Sequence, residues 1–212
     1  LGANPFLAVL IGGITSAVLA LPTSWVAFRL RGDYFAVGTW VIAEVYRLII
    51  IKFDALGGAD GKSLAGLSGM DPVIRGAVVY WFALAIAALT ILGSFWLLRG
   101  RIGLALTAIR DDETAARAAG VNATRVKRIV YVVSAIGCGL AGGVLVVDAL
   151  RVQPDAIFSV QWSAYMILIV LIGGIGYLEG PLVGAIVFFA LQQVLAGFGT
   201  WYLMLLGLLA IV

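Results

Sequence analysis

The 212-residue chain has no histidine and a single cysteine, Cys138. Without imidazole there is no Ser-His-Asp relay and no histidine metal cage, and one thiol builds neither a disulfide framework nor a zinc finger. Charge is scarce as well: Asp, Glu, Lys and Arg make up 12% of the residues, about half their share of a soluble domain. Catalysis within this chain is therefore not expected, and no metal site is expected.

Apolar residues fill the gap. They account for 63% of the chain and give a mean hydropathy of +1.11, far beyond what one buried core absorbs, so the outer surface must face lipid. The expected fold is all-α: a polytopic helical membrane protein. The net charge of +3 does not point to nucleic acid, because most of the basic excess lies in one short loop between apolar runs.

A helix needs about 20 apolar residues to cross a bilayer. Runs over 5–27, 34–51, 77–98 and 129–147 qualify, 163–178 just qualifies, 181–198 follows, and 201–212 opens a partial further span. The count is about six transmembrane helices plus a partial one. The whole of 1–212 reads as one transmembrane domain, expected to be a fragment truncated at both ends. Between the runs lie a glycine-rich loop over 52–75, a charged loop over 99–128 and a moderately polar connector over 148–161. If 99–128 is cytoplasmic, that side also carries Arg29 and Arg31, whereas Lys52, Lys62, Arg75 and Arg151 fall outside, as the positive-inside rule requires. Trp40, Trp81, Trp96, Trp162 and Trp201 mostly fall near span ends, where aromatic belts sit.

Within the charged loop, Asp111-Asp112-Glu113 supplies an acidic helix start, Ala115-Ala116-Arg117-Ala118-Ala119 favours helix, and Gly120 can close it in the left-handed conformation. Asn122 can cap the helix entering the next span. The pattern fits a short helix with a low-profile alanine surface for a partner, or a solvated loop whose charges serve topology alone. In the second span, Glu44 and Arg47 lie one turn apart and can pair; the alternative is a pathway or gating role, since intramembrane charge is costly. Gly139 and Gly143, and the series Gly176, Gly180 and Gly184, have the four-residue spacing that permits close helix packing. For Gly173-Gly174-Ile175-Gly176 up to Pro181, a broken helix lining a polar cavity and a turn are both open. Gly61-Lys62-Ser63 ends like a phosphate-binding loop, but Leu56 stands where the motif needs glycine, so ATP binding by this chain is not expected.

Arg110-Asp111-Asp112-Glu113-Thr114-Ala115-Ala116-Arg117-Ala118-Ala119-Gly120-Val121-Asn122-Ala123-Thr124-Arg125-Val126-Lys127 resembles the cytoplasmic coupling loop of membrane permeases of branched-chain amino-acid ABC importers. Leu30-Arg31-Gly32-Asp33-Tyr34-Phe35-Ala36 with Glu44 and Arg47, Ser134-Ala135 leading to Gly139-Leu140-Ala141-Gly142-Gly143, and Gly173-Gly174-Ile175-Gly176 with Gly180-Pro181 and Gly184-Ala185 are similar to the same family. The likeness implies a type II importer-like bundle in a bacterial inner membrane, translocating Leu, Ile and Val by alternating access. It implies a second permease subunit, identical or a paralogue, a periplasmic or extracellular solute-binding protein, and two cytoplasmic ATPases that hold the ATP and Mg; no cofactor is expected in this chain. Arg110, Asp111, Asp112, Glu113, Ala115, Ala116, Arg117 and Gly120 would form the ATPase-coupling helix. Tyr34, Glu44, Arg47, Gly173, Gly174 and Gly176 would be pathway or gating candidates, and Asp148, Arg151 and Asp155 could meet the binding protein. Rival readings are an ABC permease for urea or short amides, an ion-coupled secondary transporter, for which Glu44 is the clear intramembrane carboxylate, and a passive channel.

Overall fold

The computed structural model describes residues 5–30, 32–53, 58, 60–63, 71–174, 176 and 179–195. The helices are α1 (Pro5–Ala27), α2 (Asp33–Ile51), α3 (Pro72–Arg99), α4 (Arg101–Asp111), α5 (Glu113–Ala118), α6 (Ala123–Ala149), α7 (Pro154–Ile157), α8 (Val160–Gly173) and α9 (Gly180–Leu195), and the short strands β1 (Lys62–Ser63) and β2 (Arg151–Val152) pair antiparallel. Among the described residues, five stretches are long and apolar enough to cross a membrane, namely Pro5–Ala27, Tyr34–Ile51, Pro72–Arg99, Ala123–Ala149 and Pro154–Gly173, while Gly180–Val194 is apolar but shorter. An all-α, multi-pass membrane protein results, as expected. The partial span over 201–212 and half of the glycine-rich loop (54–57, 59 and 64–70) lie outside the described residues.

The helices fall into two compact units, Leu1–Ile157 and Phe158–Val212. In the first, α1 and α6 run antiparallel along a seam of small residues. A Cβ added at Gly139 would lie 3.0 Å from the Gly12 carbonyl, and one at Gly143 would lie 3.0 Å from Val9 Cγ1. Such closeness needs glycine, because helix backbones approach only where side chains are missing. At the far end of the seam Phe28 meets Tyr131 edge-on, with ring centroids 5.6 Å apart. Helix α3 packs against both α6 and α1, with Phe82 edge-on to Phe6, so that Val9, Val79, Leu140 and Val147 form a buried cluster. Apolar side chains pointing outward are far more numerous than buried ones; Ile14, for example, is 65% exposed, as suits helices solvated by lipid.

This packing sorts the charges by end. The antiparallel α1, α3 and α6 bring Arg29, Arg99 and the whole of α4 and α5 to one end, together with Arg125, Lys127 and Arg128 at the start of α6. At that end Arg29 lies 4.2 Å over the Trp25 ring and Arg99 lies 4.3 Å over Phe95, so each guanidinium reaches outward along an aromatic face. Lys52, Arg75 and the β1–β2 pair sit at the opposite helix ends.

In the second unit, α8 and α9 form a tight antiparallel hairpin. A Cβ on Gly184 would lie 2.0 Å from the Ile169 carbonyl oxygen, and one on Gly173 would lie 1.8 Å from that of Gly180. Tyr165 and Phe188 pack further along, with centroids 5.2 Å apart. Ser159 caps α8, its hydroxyl accepting from the Gln161 N–H at 3.3 Å.

Candidate functional site

The charged loop is more structured than its sequence suggests. Residues 101–111 form a helix, α4, where a charged loop is expected; Ile102, Ala105 and Ile109 fall three and four apart on its inner face, an amphipathic period the charges conceal. Gly103 allows the sharp α3–α4 corner, where a Cβ would lie 1.7 Å from the Leu98 carbonyl oxygen. Asp111 ends α4 rather than opening the next helix, and the start falls to Asp112. Its carboxylate accepts from the Thr114 N–H at 2.7 Å and the Ala115 N–H at 3.1 Å, an N-cap that fills two of the orphan donors of the first turn. The Thr114 hydroxyl first, then these backbone donors, hold the Asp112 carboxyl below its ordinary range.

Helix α5 ends as its glycine demands. Gly120 takes φ +88°, its N–H donates to the Arg117 carbonyl at 3.0 Å, and the Val121 N–H donates to that of Ala116 at 2.9 Å, the paired closure of a Schellman motif. Asn122 then caps α6, accepting from the Arg125 N–H at 3.0 Å. The helix is seated by Ala116, which is 4% exposed and packs with Ile109 and Ala123. Ala116 therefore faces its own chain, whereas Thr114, Ala115, Arg117 and Ala118 are exposed. Arg110, exposed in the last turn of α4, complements the helix dipole there.

Glu113 binds in two directions. Arg117 Nη2 donates to its Oε1 at 2.7 Å, and Lys127 Nζ, one turn into α6, donates to Oε2 at 2.7 Å. Lys127 first and Arg117 second keep the Glu113 carboxyl below its ordinary range. The i,i+4 partner was legible in the sequence; the Lys127 contact, across a helix junction, was not.

On α2, Arg47 Nε donates to both Glu44 carboxylate oxygens at 3.0 Å, so the expected pair forms. The guanidinium has a second partner that spacing could not reveal: Nη1 is ion-paired with Asp155 in the first turn of α7. Nearby, Arg151 Nη2 donates to the Asp60 carbonyl at 3.1 Å, and Lys62 and Ser63 pair with Val152 and Arg151. The Gly61-Lys62-Ser63 segment is thus tied into an extended pairing. Tyr34, in the first turn of α2, is 78% exposed. Between α2 and α1 lies an apolar recess of about 240 Å³, lined by Pro22, Thr23, Val26, Val41, Ile42, Val45 and Tyr46.

The glycines divide by role. Gly139, Gly143, Gly180 and Gly184 stand at close helix contacts. Gly174 and Gly176 take φ +92° and +113° between α8 and α9, so Gly176 belongs to the turn and not to the packing series. Among the described residues no cluster of His, Cys, Asp and Glu can hold a metal.

Comparison with known proteins matches the sequence to a family of permeases. The family model described as "Branched-chain amino acid transport system / permease component" covers residues 1–212. The chain is 27% identical to the high-affinity branched-chain amino acid transport system permease protein LivM of Salmonella typhimurium, over 93% of this chain and 52% of that protein. It is 29% identical to the probable branched-chain amino acid transport permease protein LivM of Methanocaldococcus jannaschii (89% and 54%), and 28% identical to the fructose import permease protein FrcC of Rhizobium meliloti (100% and 62%). The chain spans about half the length of the LivM proteins it matches. No solved structure matches it. From the match over its full length, the chain belongs to the permease-component family of branched-chain amino-acid transport systems.

Proposed function

We propose that the chain belongs to a transmembrane permease subunit of a bacterial inner-membrane importer that moves branched-chain amino acids by alternating access, powered by two separate cytoplasmic ATPases. The observation that carries this reading is α5, a short helix capped at both ends, seated on α4 and α6, and exposing small side chains at the basic end of the bundle. A solvated loop kept only for topology needs no such bracing. The positive-inside rule makes that end cytoplasmic, where the ATPases bind through Ala115 and Ala118. The opposite end, with Arg151, Asp155 and the β1–β2 pair, faces the solute-binding protein, and a second permease subunit completes the pathway. ATP and Mg belong to the ATPases.

Similarity to fructose and ribose import permeases supports a second substrate reading, a sugar, for the same machine. Both are tested by uptake of labelled leucine into vesicles holding the full-length permease with its ATPases and binding protein, with and without ATP and with fructose or urea as competitor. ATP-dependent leucine uptake that neither competitor reduces is the expected outcome. Competition by fructose transfers the substrate to the second reading, and uptake that survives ATP removal overturns the importer.

A further inference from the structure

Helices α5 and α6 are joined by residues 119–122, with Gly120 at the bend. Gly120 has no atom within 4 Å of where its Cβ would be, so the bend is held by the Gly120 and Val121 N–H bonds to the Arg117 and Ala116 carbonyls and by Val121 against the seat, not by packing at Gly120 itself. The seat formed by Ile109, Ala116 and Ala123, with Ala108, Val121 and Val126 packed against it, grips α5 at its middle and at its Gly120 end. Glu113 differs in position. It stands at the end of α5 farthest from Gly120, a helix length of about 9 Å away by helical rise, where a tie resists pivoting with the longest lever arm. Its tie to α6 is Lys127 at 2.7 Å, and Arg117 at 2.7 Å fixes the carboxylate's second oxygen. Glu113 and Lys127 are 37% and 39% exposed, so a subunit covering α5 would exclude water from the pair and strengthen it.

We propose that Glu113 is a positioning residue that locks α5 to α6, so that a displacement of the docked α5 is delivered to α6 instead of being absorbed by rotation about Gly120. The inference rests on the reading of α5 as the ATPase-docking helix. It assigns Glu113 inward, to its own chain, and leaves the outward contacts to Thr114, Ala115 and Ala118. From α6 the movement reaches α1 through the glycine seam at Gly12 and Gly139, where backbones touch and little slack exists.

The test uses the full-length permease with its partner subunits in vesicles, reading labelled-leucine uptake and ATP hydrolysis together. Lys127→Met is expected to lower leucine taken up per ATP several-fold while the ATPases still co-purify and hydrolyse. Glu113→Gln, which keeps the side chain's shape, should do the same, and Lys127→Arg, which keeps the charge, should retain the original ratio. The lock is overturned if Lys127→Met and Glu113→Gln both transport at the unaltered ratio, or if Lys127→Arg falls as far as Lys127→Met. Loss of the ATPases from a well-expressed Ala115→Trp protein is the separate result expected of docking. If that variant keeps its ATPases and its uptake, the docking reading falls, and the lock falls with it.

Discussion

Arg47 and Asp155 are 108 positions apart in sequence and ion-paired in the fold, tying the end of α2 to α7. Because Arg47 also holds Glu44, its removal strands two carboxylates, whereas removal of Asp155 leaves the intrahelical pair intact. Arg47→Met should therefore lower the melting temperature in detergent more than Asp155→Asn does. Asp155 is 57% exposed, so the Asp155→Asn effect should shrink at high salt, where the Debye length falls to about 3 Å at 1 M. Equal effects of the two substitutions, or a salt-independent Asp155→Asn effect, would contradict a shared guanidinium.

The glycine contacts give a ranked prediction. At Gly184 an added methyl would meet the Ile169 carbonyl oxygen at 2.0 Å and the Gly173 nitrogen at 2.9 Å, backbone atoms that cannot rotate away. Gly184→Ala should cost about 1–3 kcal/mol, the usual range for overpacking. At Gly143 the nearest atom is Val9 Cγ1 at 3.0 Å, and Gly142 has nothing within 4 Å. Thermal unfolding in detergent should rank the losses Gly184→Ala, then Gly143→Ala, then Gly142→Ala near zero. A reversed order would mean that the hairpin contact is looser than described.

How far the sequence disclosed this arrangement depends on the range of the interaction. The helices announced themselves through apolar runs, and local signals were legible: Asn122 caps α6, Gly120 closes α5, and Glu44 meets Arg47. Helix α4 was missed because its apolar face, Ile102, Ala105 and Ile109, is interleaved with Arg101 and Arg110. Partners across junctions were beyond reach: neither Lys127 for Glu113 nor Asp155 for Arg47 follows from any periodicity, since only packing brings those helices together. The coupling role proposed for the loop rests on likeness to a family, and the structure adds which of its residues face inward.

That distinction sets Ala115 against Ala116. Ala116 is 4% exposed and packed on Ile109 and Ala123, while Ala115 is exposed. Ala116→Trp must push α5 off its seat, so increased amide exchange across 113–121 should appear in the permease alone. Ala115→Trp should leave that exchange unchanged. Matching exchange in the two variants would contradict the inward placement of Ala116.

Gly120 isolates a backbone effect. Its φ of +88° is costly for residues with a Cβ, yet open space surrounds the position, so a substitution there is opposed by conformation and not by a clash. Gly120→Ala should destabilise the α5 closure by about 1–2 kcal/mol, the left-handed penalty for an L-residue, and Gly120→Asn by less, since asparagine visits that region more readily. Faster amide exchange at Val121, whose N–H bonds the Ala116 carbonyl at 2.9 Å, would report it. Unchanged exchange in Gly120→Ala would mean that the closure does not depend on the left-handed turn.

Acid should loosen α5, and the sign follows from its two carboxylates. Asp112 and Glu113 are both held below their ordinary values of 3.8 and 4.5, Asp112 mainly by the Thr114 hydroxyl and Glu113 mainly by Lys127. A carboxyl with a lowered folded value binds fewer protons folded than unfolded, so it stabilises the fold fully above its ordinary value and loses that contribution as pH falls through the lowered one. Protection of the α5 amides, corrected for intrinsic exchange, should stay level from neutral pH down to about 5 and decline below about 4, the region set by unperturbed carboxylates. Asp112→Asn keeps an acceptor for the Thr114 and Ala115 N–H groups, so it should retain protection at neutral pH and lose the Asp112 share of the acid step. Glu113→Gln should lower protection at neutral pH, because the Lys127 tie is already gone, and flatten the remaining step. A decline between pH 7 and 5 would point to a different titrating group and remove these two carboxylates from the account.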